Sequence, residues 1–213
     1  MNRSTRRGFL AASVGVAGLT AGCLSNSGGS PSVPTAEGQP LPAPVAGDPD
    51  ADVTVEVYED YACPHCRTFS LEVYPQIRTN YLSSGSIEYV FNDFPIPVDD
   101  AVSWEAASAA RAVQDRAGDE AFFTYNKRLF ENQNRLGPSV YAELTEGMDV
   151  DGETIREEGV GEAYRPTVSE DRSAGRERGV SGTPTVFVDG EAVQWSEVAF
   201  GPVQQAIDAA LDG

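Results

Sequence analysis

The stretch Asp60-Tyr61-Ala62-Cys63-Pro64-His65-Cys66 joins the end of a predicted strand to the start of a predicted helix. It holds the two cysteines that lie close together in sequence and the single histidine of the chain. Residues 53–58 are β-branched and alternate as a strand does. Pro64 suits the first turn of a helix, which apolar residues extend to about Leu82. The stretch therefore predicts a dithiol/disulfide centre at a strand-to-helix junction.

Two cysteines separated by two residues at a helix start can close a small ring. We expect Cys63 to be the exposed nucleophile, because free backbone N–H groups and the helix dipole stabilise a thiolate there. Protonated His65 would add a nearby positive charge, and Pro64 would stiffen the turn. A lowered thiol pKa stabilises the reduced form and makes the disulfide a better oxidant. Cys66, one turn into the helix, is predicted to be the shielded, resolving thiol.

Three other interpretations of the cysteine pair compete with a redox centre. Structural zinc needs about four ligands, and the chain has neither a second close cysteine pair nor a distal histidine. Covalent haem attachment places histidine directly after the second cysteine, where Arg67 stands. A purely structural disulfide would close too small a loop to stabilise much. The sequence therefore favours redox chemistry without a bound metal or other cofactor.

The pattern of apolar residues in the rest of the chain predicts an α/β fold. Two strands come first, a helical region follows them, and a β-hairpin comes after the helical region. Asp189-Gly190 is typical of a tight hairpin turn. An alanine-rich helix, a helix with an aromatic stripe and several helices with a less clear pattern separate the second strand from that hairpin. The predicted elements are a strand at 87–91, helices at 101–117, 120–132, 138–146, 151–158 and 162–179, strands at 185–188 and 192–195, and a closing helix at 202–211.

The motif Cys63-Pro64-His65-Cys66 after a strand, followed much later by Val-Ser-Gly-Thr-Pro at 180–184 and a Val-Phe-Val-Asp-Gly hairpin, resembles the DsbA-like thiol:disulfide oxidoreductases. The resemblance covers about residues 45–211. It implies a thioredoxin fold with an inserted helical subdomain at about 98–160. It also implies that Pro184 is cis and lies against the cysteine pair, and that Thr183 presents its backbone to a bound substrate chain.

One position differs from related folds. These folds often bury a carboxylate six residues before the first cysteine, where it transfers protons to and from the second cysteine. Val57 occupies that position here. Glu56 is adjacent but should point to the other face of the strand. Asp60, three residues before Cys63, matches an acidic residue common in the DsbA-like group, and its expected role is to shape the loop.

The first 22 residues are predicted to be an export signal and not part of the fold. Arg6-Arg7 precede an apolar run that ends at Gly22, a pattern similar to twin-arginine (Tat) signals. Leu19-Thr20-Ala21-Gly22-Cys23 resembles a lipobox, although Thr20 stands where an aliphatic residue is usual. We expect Cys23 to carry a lipid, residues 23–46 to form a flexible linker, and residues 47–213 to form the folded domain.

The charge balance is strongly acidic, with 33 acidic against 15 basic residues and a net charge of −18. Lys127 is the single lysine, and the acidic residues are spread along the chain. Such a composition is typical of halophilic, haloarchaeal-type proteins, in which salt screens the self-repulsion. Nucleic-acid binding is not expected, because no basic face is available to neutralise phosphates.

These features predict an exported thiol:disulfide oxidoreductase, anchored by lipid to the outer face of the cytoplasmic membrane. Its substrates would be thiols or disulfides of exported proteins, and a membrane redox partner would regenerate the Cys63–Cys66 pair. The Pro-His dipeptide between the cysteines favours disulfide formation. A reductant or isomerase using the same site remains an alternative, as does a non-catalytic surface lipoprotein that binds a metal or peptide.

Overall fold

The computed structural model describes residues 39–213. The predicted signal, Cys23 and the first part of the predicted linker lie outside these residues. Within the described part, no helix combines the length and apolar character that a membrane span requires.

A five-stranded mixed sheet with the spatial order β1-β3-β2-β4-β5 forms the centre of the domain. β2 runs parallel to β3 and antiparallel to β4, so it is the middle strand. Val55 and Val57 of β2 are fully buried, which the alternation of the sequence predicts. The strands are β1 (Val45–Gly47), β2 (Thr54–Glu59), β3 (Glu88–Asp93), β4 (Thr185–Val188) and β5 (Glu191–Ala192).

Helices account for most of the remaining described chain, and most of them follow β3. α6 carries a proline in its first turn, where the missing N–H costs no helical hydrogen bond. The helices are α1 (Pro64–Thr68), α2 (Tyr74–Asn80), α3 (Asp100–Glu131), α4 (Pro138–Glu143), α5 (Gly152–Val160), α6 (Arg165–Glu177) and α7 (Phe200–Leu211).

The connection between β3 and β4 contains α3, α4, α5 and α6, of which α3 to α5 lie within the helical insertion predicted at about 98–160. α3 is interrupted at Gly118, whose φ of 80° and ψ of −178° are not helical. Glycine accepts this conformation because it has no Cβ. The two separate helices expected at 101–117 and 120–132 are thus joined end to end. Strand, helix, strand, helical insertion, hairpin and closing helix together confirm the predicted thioredoxin fold.

The helix that begins at the cysteine motif contains a π-helical turn. α1 is followed without a break by the turn Phe69–Val73 and then by α2. The single helix expected from Pro64 to about Leu82 is therefore present as three helical segments. Such π turns are rare and are frequent at functional sites. This one directly follows the segment that holds Cys66.

The folded part begins earlier than the sequence predicts. β1 pairs with β3 through Val45, Ala46 and Gly47, although this segment has no strand pattern of its own. Before it, the backbone N–H of Leu41 donates to Thr167 Oγ1 at 3.1 Å. The carbonyl of Pro42 accepts from Arg111 Nη1 at 3.2 Å. Residues assigned to the linker up to 46 are therefore bound to the domain from Leu41 onward.

Close packing of α6 against the sheet generates a stability prediction. A Cβ added at Gly175 would lie 2.8 Å from Tyr58 Cε1 and 2.9 Å from the Phe94 ring, both in the core. We expect Gly175→Ala to lower the free energy of unfolding by about 1–3 kcal/mol, because those rings have to move.

The matched control is Gly201→Ala in α7, where nothing lies within 4 Å of the added Cβ. Denaturant unfolding should show an unchanged or slightly raised stability for this control. Equal stability of Gly175→Ala and wild type would contradict the tight contact between α6, β2 and the loop after β3.

Candidate active site

Cys63 and Cys66 lie at the start of α1, which follows β2 after a short loop. Cys63 is the residue before the helix and has an extended backbone, with φ −81° and ψ 120°. Its carbonyl accepts the first helical hydrogen bond, from Arg67 N–H at 3.2 Å. Both cysteines are free thiols. Cys63 is 3 % exposed and Cys66 fully buried, so the expectation that Cys63 is openly exposed is wrong.

The loop before β4 covers Cys63. The Thr183–Pro184 peptide bond is cis, as the resemblance implies. The Cys63 thiol donates to the Thr183 carbonyl, with 3.3 Å between sulfur and oxygen. The two motifs that lie about 120 residues apart in sequence are therefore in direct contact.

Hydrogen bonding lowers the pKa of Cys63 from the ordinary value of 9.0 to about 5. The largest cause is the hydrogen bond from the Cys66 thiol. The backbone N–H groups of Cys66 and His65, which are free at the helix start, also stabilise the thiolate. Partial burial opposes these effects. His65 thus acts through its backbone, and the side chain that lowers this pKa most is Cys66, not His65.

Cys66 has the opposite electrostatic environment. Burial raises the pKa of its thiol well above 9.0, and the charge of Glu59 raises it further. The Cys66 sulfur accepts one backbone hydrogen bond, from Asp60 N–H at 3.4 Å. One cysteine of the pair is therefore stabilised as a thiolate while the other is held as a thiol.

Asp60 is a buried hydrogen-bond acceptor that holds the cysteine loop to the helical insertion. Its carboxylate accepts from Ala62 N–H and from Ile96 N–H, each at 2.6 Å. Ser103 Oγ of α3 donates to both carboxylate oxygens, at 2.8 and 2.9 Å. Burial raises the pKa of Asp60 to about 6, although these hydrogen bonds oppose the rise. The expected loop-shaping role of Asp60 agrees with these contacts.

Glu59 is the buried carboxylate of the site, and the sequence analysis missed it. Positions alternate between the faces of a strand, so Glu59 shares a face with Val57, where the acid was expected. Glu59 is 1 % exposed and both its oxygens accept from Ser70 Oγ at 3.0 Å. Burial raises its pKa well above the ordinary value of 4.5. The period-two pattern alone could have identified it.

A small groove of about 170 Å³ lies beside the cysteine pair. His65, which is exposed, lines it together with Thr183 and Pro184. The segment after β5 forms its far wall through Trp195, Ser196, Glu197 and Val198. From the insertion, Gln133 Nε2 donates to the carbonyls of Tyr61 and Cys63, each at 2.9 Å. The predicted substrate-facing residues are thus brought together around Cys63.

No group of three or more His, Cys, Asp or Glu side chains suited to a metal ion exists within residues 39–213. Pro64 is the first residue of α1 and is exposed. Cys23 lies outside the described residues, so its predicted modification stays a prediction. The arrangement around Cys63 and Cys66 has the groups that thiol–disulfide exchange needs: a stabilised thiolate, a second thiol within one helical turn, and a neighbouring proton-holding acid.

The fold and the paired cysteines define a thiol:disulfide oxidoreductase of the DsbA-like class, and comparisons with known proteins agree. Disulfide bond formation protein D of Bacillus subtilis (strain 168) is 26 % identical over 186 residues, covering 84 % of this chain and 80 % of that protein. The crystal structure of oxidised BdbD from Bacillus subtilis superposes with a TM-score of 0.73 at 25 % identity, covering 80 % of this chain and 94 % of that one.

A third comparison supports the fold alone. The crystal structure of Chlamydia trachomatis DsbA has a TM-score of 0.68 at 22 % identity, covering 83 % of this chain and 94 % of that one. The family model described as Thioredoxin matches residues 41–209. Because this match spans most of the sequence, the chain belongs to the thioredoxin family.

The hydrogen bond between the two thiols yields a prediction for the pKa of Cys63. Cys66→Ala removes the donor, and we expect the pKa to rise by about 1 to 2, since a hydrogen bond to a charged group contributes about 1.5–3 kcal/mol. Cys66→Ser keeps a hydroxyl donor at the same place and should retain most of the lowering.

Thiolate absorbance measured against pH would follow both variants, because each leaves Cys63 as the titrating thiol of the motif. The Cys23→Ser background removes the remaining cysteine of the chain from the measurement. Equal pKa values in the alanine and serine variants would mean that the backbone N–H groups alone stabilise the thiolate.

Proposed function

We propose that this protein is an extracytoplasmic oxidoreductase that introduces disulfide bonds into exported proteins through Cys63 and Cys66. The unequal environment of the two sulfurs is the observation that carries the proposal. A thiolate with a pKa of about 5 at Cys63 stabilises the reduced form of the enzyme. Stabilising the reduced form makes the disulfide form a stronger oxidant. The name of the Bacillus subtilis relative, disulfide bond formation protein D, is consistent with this direction.

The oxidising cycle consists of two exchanges. A substrate thiolate attacks Cys63 Sγ of the disulfide, the Cys63–Cys66 bond breaks, and its electron pair goes to Cys66, which takes up a proton. The second substrate thiolate then attacks the mixed disulfide, forming the substrate disulfide and releasing Cys63 as a thiolate. The low pKa of Cys63 makes it the better leaving group in this second step. No metal or other cofactor is required; the disulfide itself carries the two electrons.

Substrate binding is assigned to the groove beside Cys63. In this proposal an extended substrate chain lies against the Thr183–Pro184 bond, where the Thr183 carbonyl already accepts from Cys63. Backbone contacts would give affinity for many sequences, because they do not depend on substrate side chains. His65 and Trp195 border the same groove and would contact the residues next to the substrate cysteine.

The reduction potential of the pair tests the direction of the reaction. Equilibration with glutathione should give a reduction potential of about −120 mV for the cysteine pair, as expected of a strong oxidant. A reductant would have a potential of about −270 mV. Cys63→Ser should abolish oxidation of a reduced, unfolded substrate protein. Cys66→Ser should also lack this activity, but its Cys63 thiolate should attack a disulfide-containing protein and stay trapped in the mixed disulfide.

A potential near the lower value would support the reductant or isomerase alternative on the same site. Retention of activity by Cys63→Ser would remove this residue from the nucleophilic role. The metal-binding alternative would be supported by tight, stoichiometric binding of copper or zinc that Cys63→Ser abolishes.

We also propose that the domain is exported by a Tat-type route and held at the outer face of the cytoplasmic membrane by a lipid on Cys23. The support is the sequence pattern of twin arginines, a short apolar run and a cysteine directly after it. This location would place the domain beside a membrane redox partner that reoxidises Cys63 and Cys66. The acidic, lysine-poor composition supports a high-salt medium as its surroundings.

Replacement of Cys23 tests the anchor. In the native host, Cys23→Ser should move the protein from the membrane fraction to the medium, since the lipid would no longer be attached. Cys63→Ser, which changes a cysteine inside the domain, serves as the control and should stay with the membrane. Lysines in place of Arg6 and Arg7 should block export. A membrane-bound Cys23→Ser protein would argue against lipid anchoring.

A further inference from the structure

Glu59 has an acidic neighbour on the adjacent strand. In the parallel pairing of β2 with β3, Glu59 is in register with Asp93. Neighbouring strands lie about 4.8 Å apart, and residues in register point to the same face of the sheet. Each of the two residues is 1 % exposed. Two carboxyl groups therefore lie side by side in the interior, next to the redox-active helix.

Few positive charges surround this pair. Arg111 Nε donates to Asp93 Oδ2 at 2.7 Å, and the same guanidinium forms an ion pair with Asp171. Glu59 accepts from the neutral Ser70 hydroxyl. The other titratable groups whose charges reach the pair are Tyr61, Tyr74, Tyr89, Cys63 and Cys66. Arg111 is thus paired with two of the three buried carboxyl groups, Asp93 and Asp171, and Glu59 forms no ion pair within the described residues.

The charge balance requires a bound proton. If Glu59, Asp93 and Asp171 were all ionised, Arg111 would compensate one charge and two would stay uncompensated in the interior. Burying an unpaired charge is far more costly than burying a neutral carboxylic acid, so at least one of the three holds a proton at neutral pH in this structure, in which Cys66 is a thiol. When Cys66 gives up its own proton, the carboxyl groups take up one more. Asp93 Oδ1 is buried and has no hydrogen-bond partner among the described residues. It is an open acceptor for that proton.

The pair is coupled to the buried cysteine. The charge of Glu59 raises the pKa of Cys66. Ser70, the donor to Glu59, lies four residues after Cys66, which places both on one face of the helix. Asp60, the residue after Glu59, donates its N–H to the Cys66 sulfur. Glu59 therefore stands between Cys66 on one side and Asp93 on the other.

We propose that Asp93 is a second acid of the redox site, and that it shares with Glu59 the one proton that Cys66 gains and loses. When an incoming thiolate breaks the Cys63–Cys66 bond, the pair delivers its proton to Cys66. When Cys66 attacks a mixed disulfide at Cys63, its proton returns to the pair and the departing group leaves as a thiolate. The proposal rests on the exchange chemistry and not on its direction. Asp171 and Arg111 position Asp93.

Oxidation of the reduced enzyme by oxidised glutathione separates the two steps. The first is attack of Cys63 on glutathione, and the second is attack of Cys66 on the mixed disulfide. We expect Glu59→Gln and Asp93→Asn each to slow the second step about 10²-fold at neutral pH and to leave the first step unchanged. The double variant should be no slower than either single variant, because the two residues act as one unit.

The matched control is Asp119→Asn. Asp119 accepts from Val45 N–H and Gln114 Nε2 and is the same type of residue as Asp93, but it lies outside the pair. Its two steps should run at wild-type rates. A normal second step in Asp93→Asn, or a double variant slowed by the product of the single effects, would overturn the sharing of a proton. A wild type in which Cys63 does not react with glutathione would instead refute the exchange chemistry itself.

Infrared difference spectra of the wild type keep the proposal testable if Asp93→Asn does not fold. Reduced-minus-oxidised spectra at about pH 8, where Asp60 is ionised, should contain a carboxylic-acid carbonyl band that shifts in deuterium oxide. Carbon-13 labelling of aspartate and, separately, of glutamate should each move this band. Absence of the band, or a band moved by glutamate labelling alone, would exclude Asp93 as the second acid.

Discussion

The hydrogen bonds accepted by the Asp60 carboxylate are the constraint on which the site depends. They join three segments that are distant in sequence: the cysteine loop at Ala62, the loop after β3 at Ile96, and the start of α3 at Ser103. A buried carboxylate with several donors is rigid, because losing any one donor leaves a costly unsatisfied charge. The helical insertion is thereby attached to the cysteine motif itself, and the N–H groups that stabilise the Cys63 thiolate are held in place.

The unequal pKa values of the two sulfurs follow from the helix geometry. Cys63 precedes α1, where backbone N–H groups are free, whereas Cys66 lies one turn inside and packs into the core. The same short segment therefore provides one low and one high thiol pKa. Glu59 extends this asymmetry inward, since its charge opposes ionisation of Cys66. In the proposed mechanism, proton transfer accompanies the exchange at Cys66 and not at Cys63.

Local patterns predicted the parts of the fold that depend on nearby residues. This group contains the strand before Cys63, the helix after it and the Asp189-Gly190 turn, with Asp189 at φ 47° and Gly190 at φ 82°. The cis bond before Pro184 was implied by the family resemblance and not by a local pattern. β1 was missed because three residues carry no periodic pattern, and only pairing with β3 makes them a strand. The Glu59–Asp93 neighbourhood could not be read from the sequence either, since it requires the register between β2 and β3.

The attachment of residues 41 and 42 has a mechanical consequence. The Pro42 carbonyl accepts from Arg111 Nη1 and from Gln114 Nε2, and Leu41 N–H donates to Thr167 on α6. A pulling force transmitted along the chain toward the domain is therefore borne first by these hydrogen bonds and then by the edge of the sheet at β1. Arg111 also forms ion pairs with Asp93 and Asp171, so the side chain to which the Pro42 carbonyl is bound is held rigidly. Tension of this kind would strain the surroundings of Asp93 before it reached the Cys63 loop.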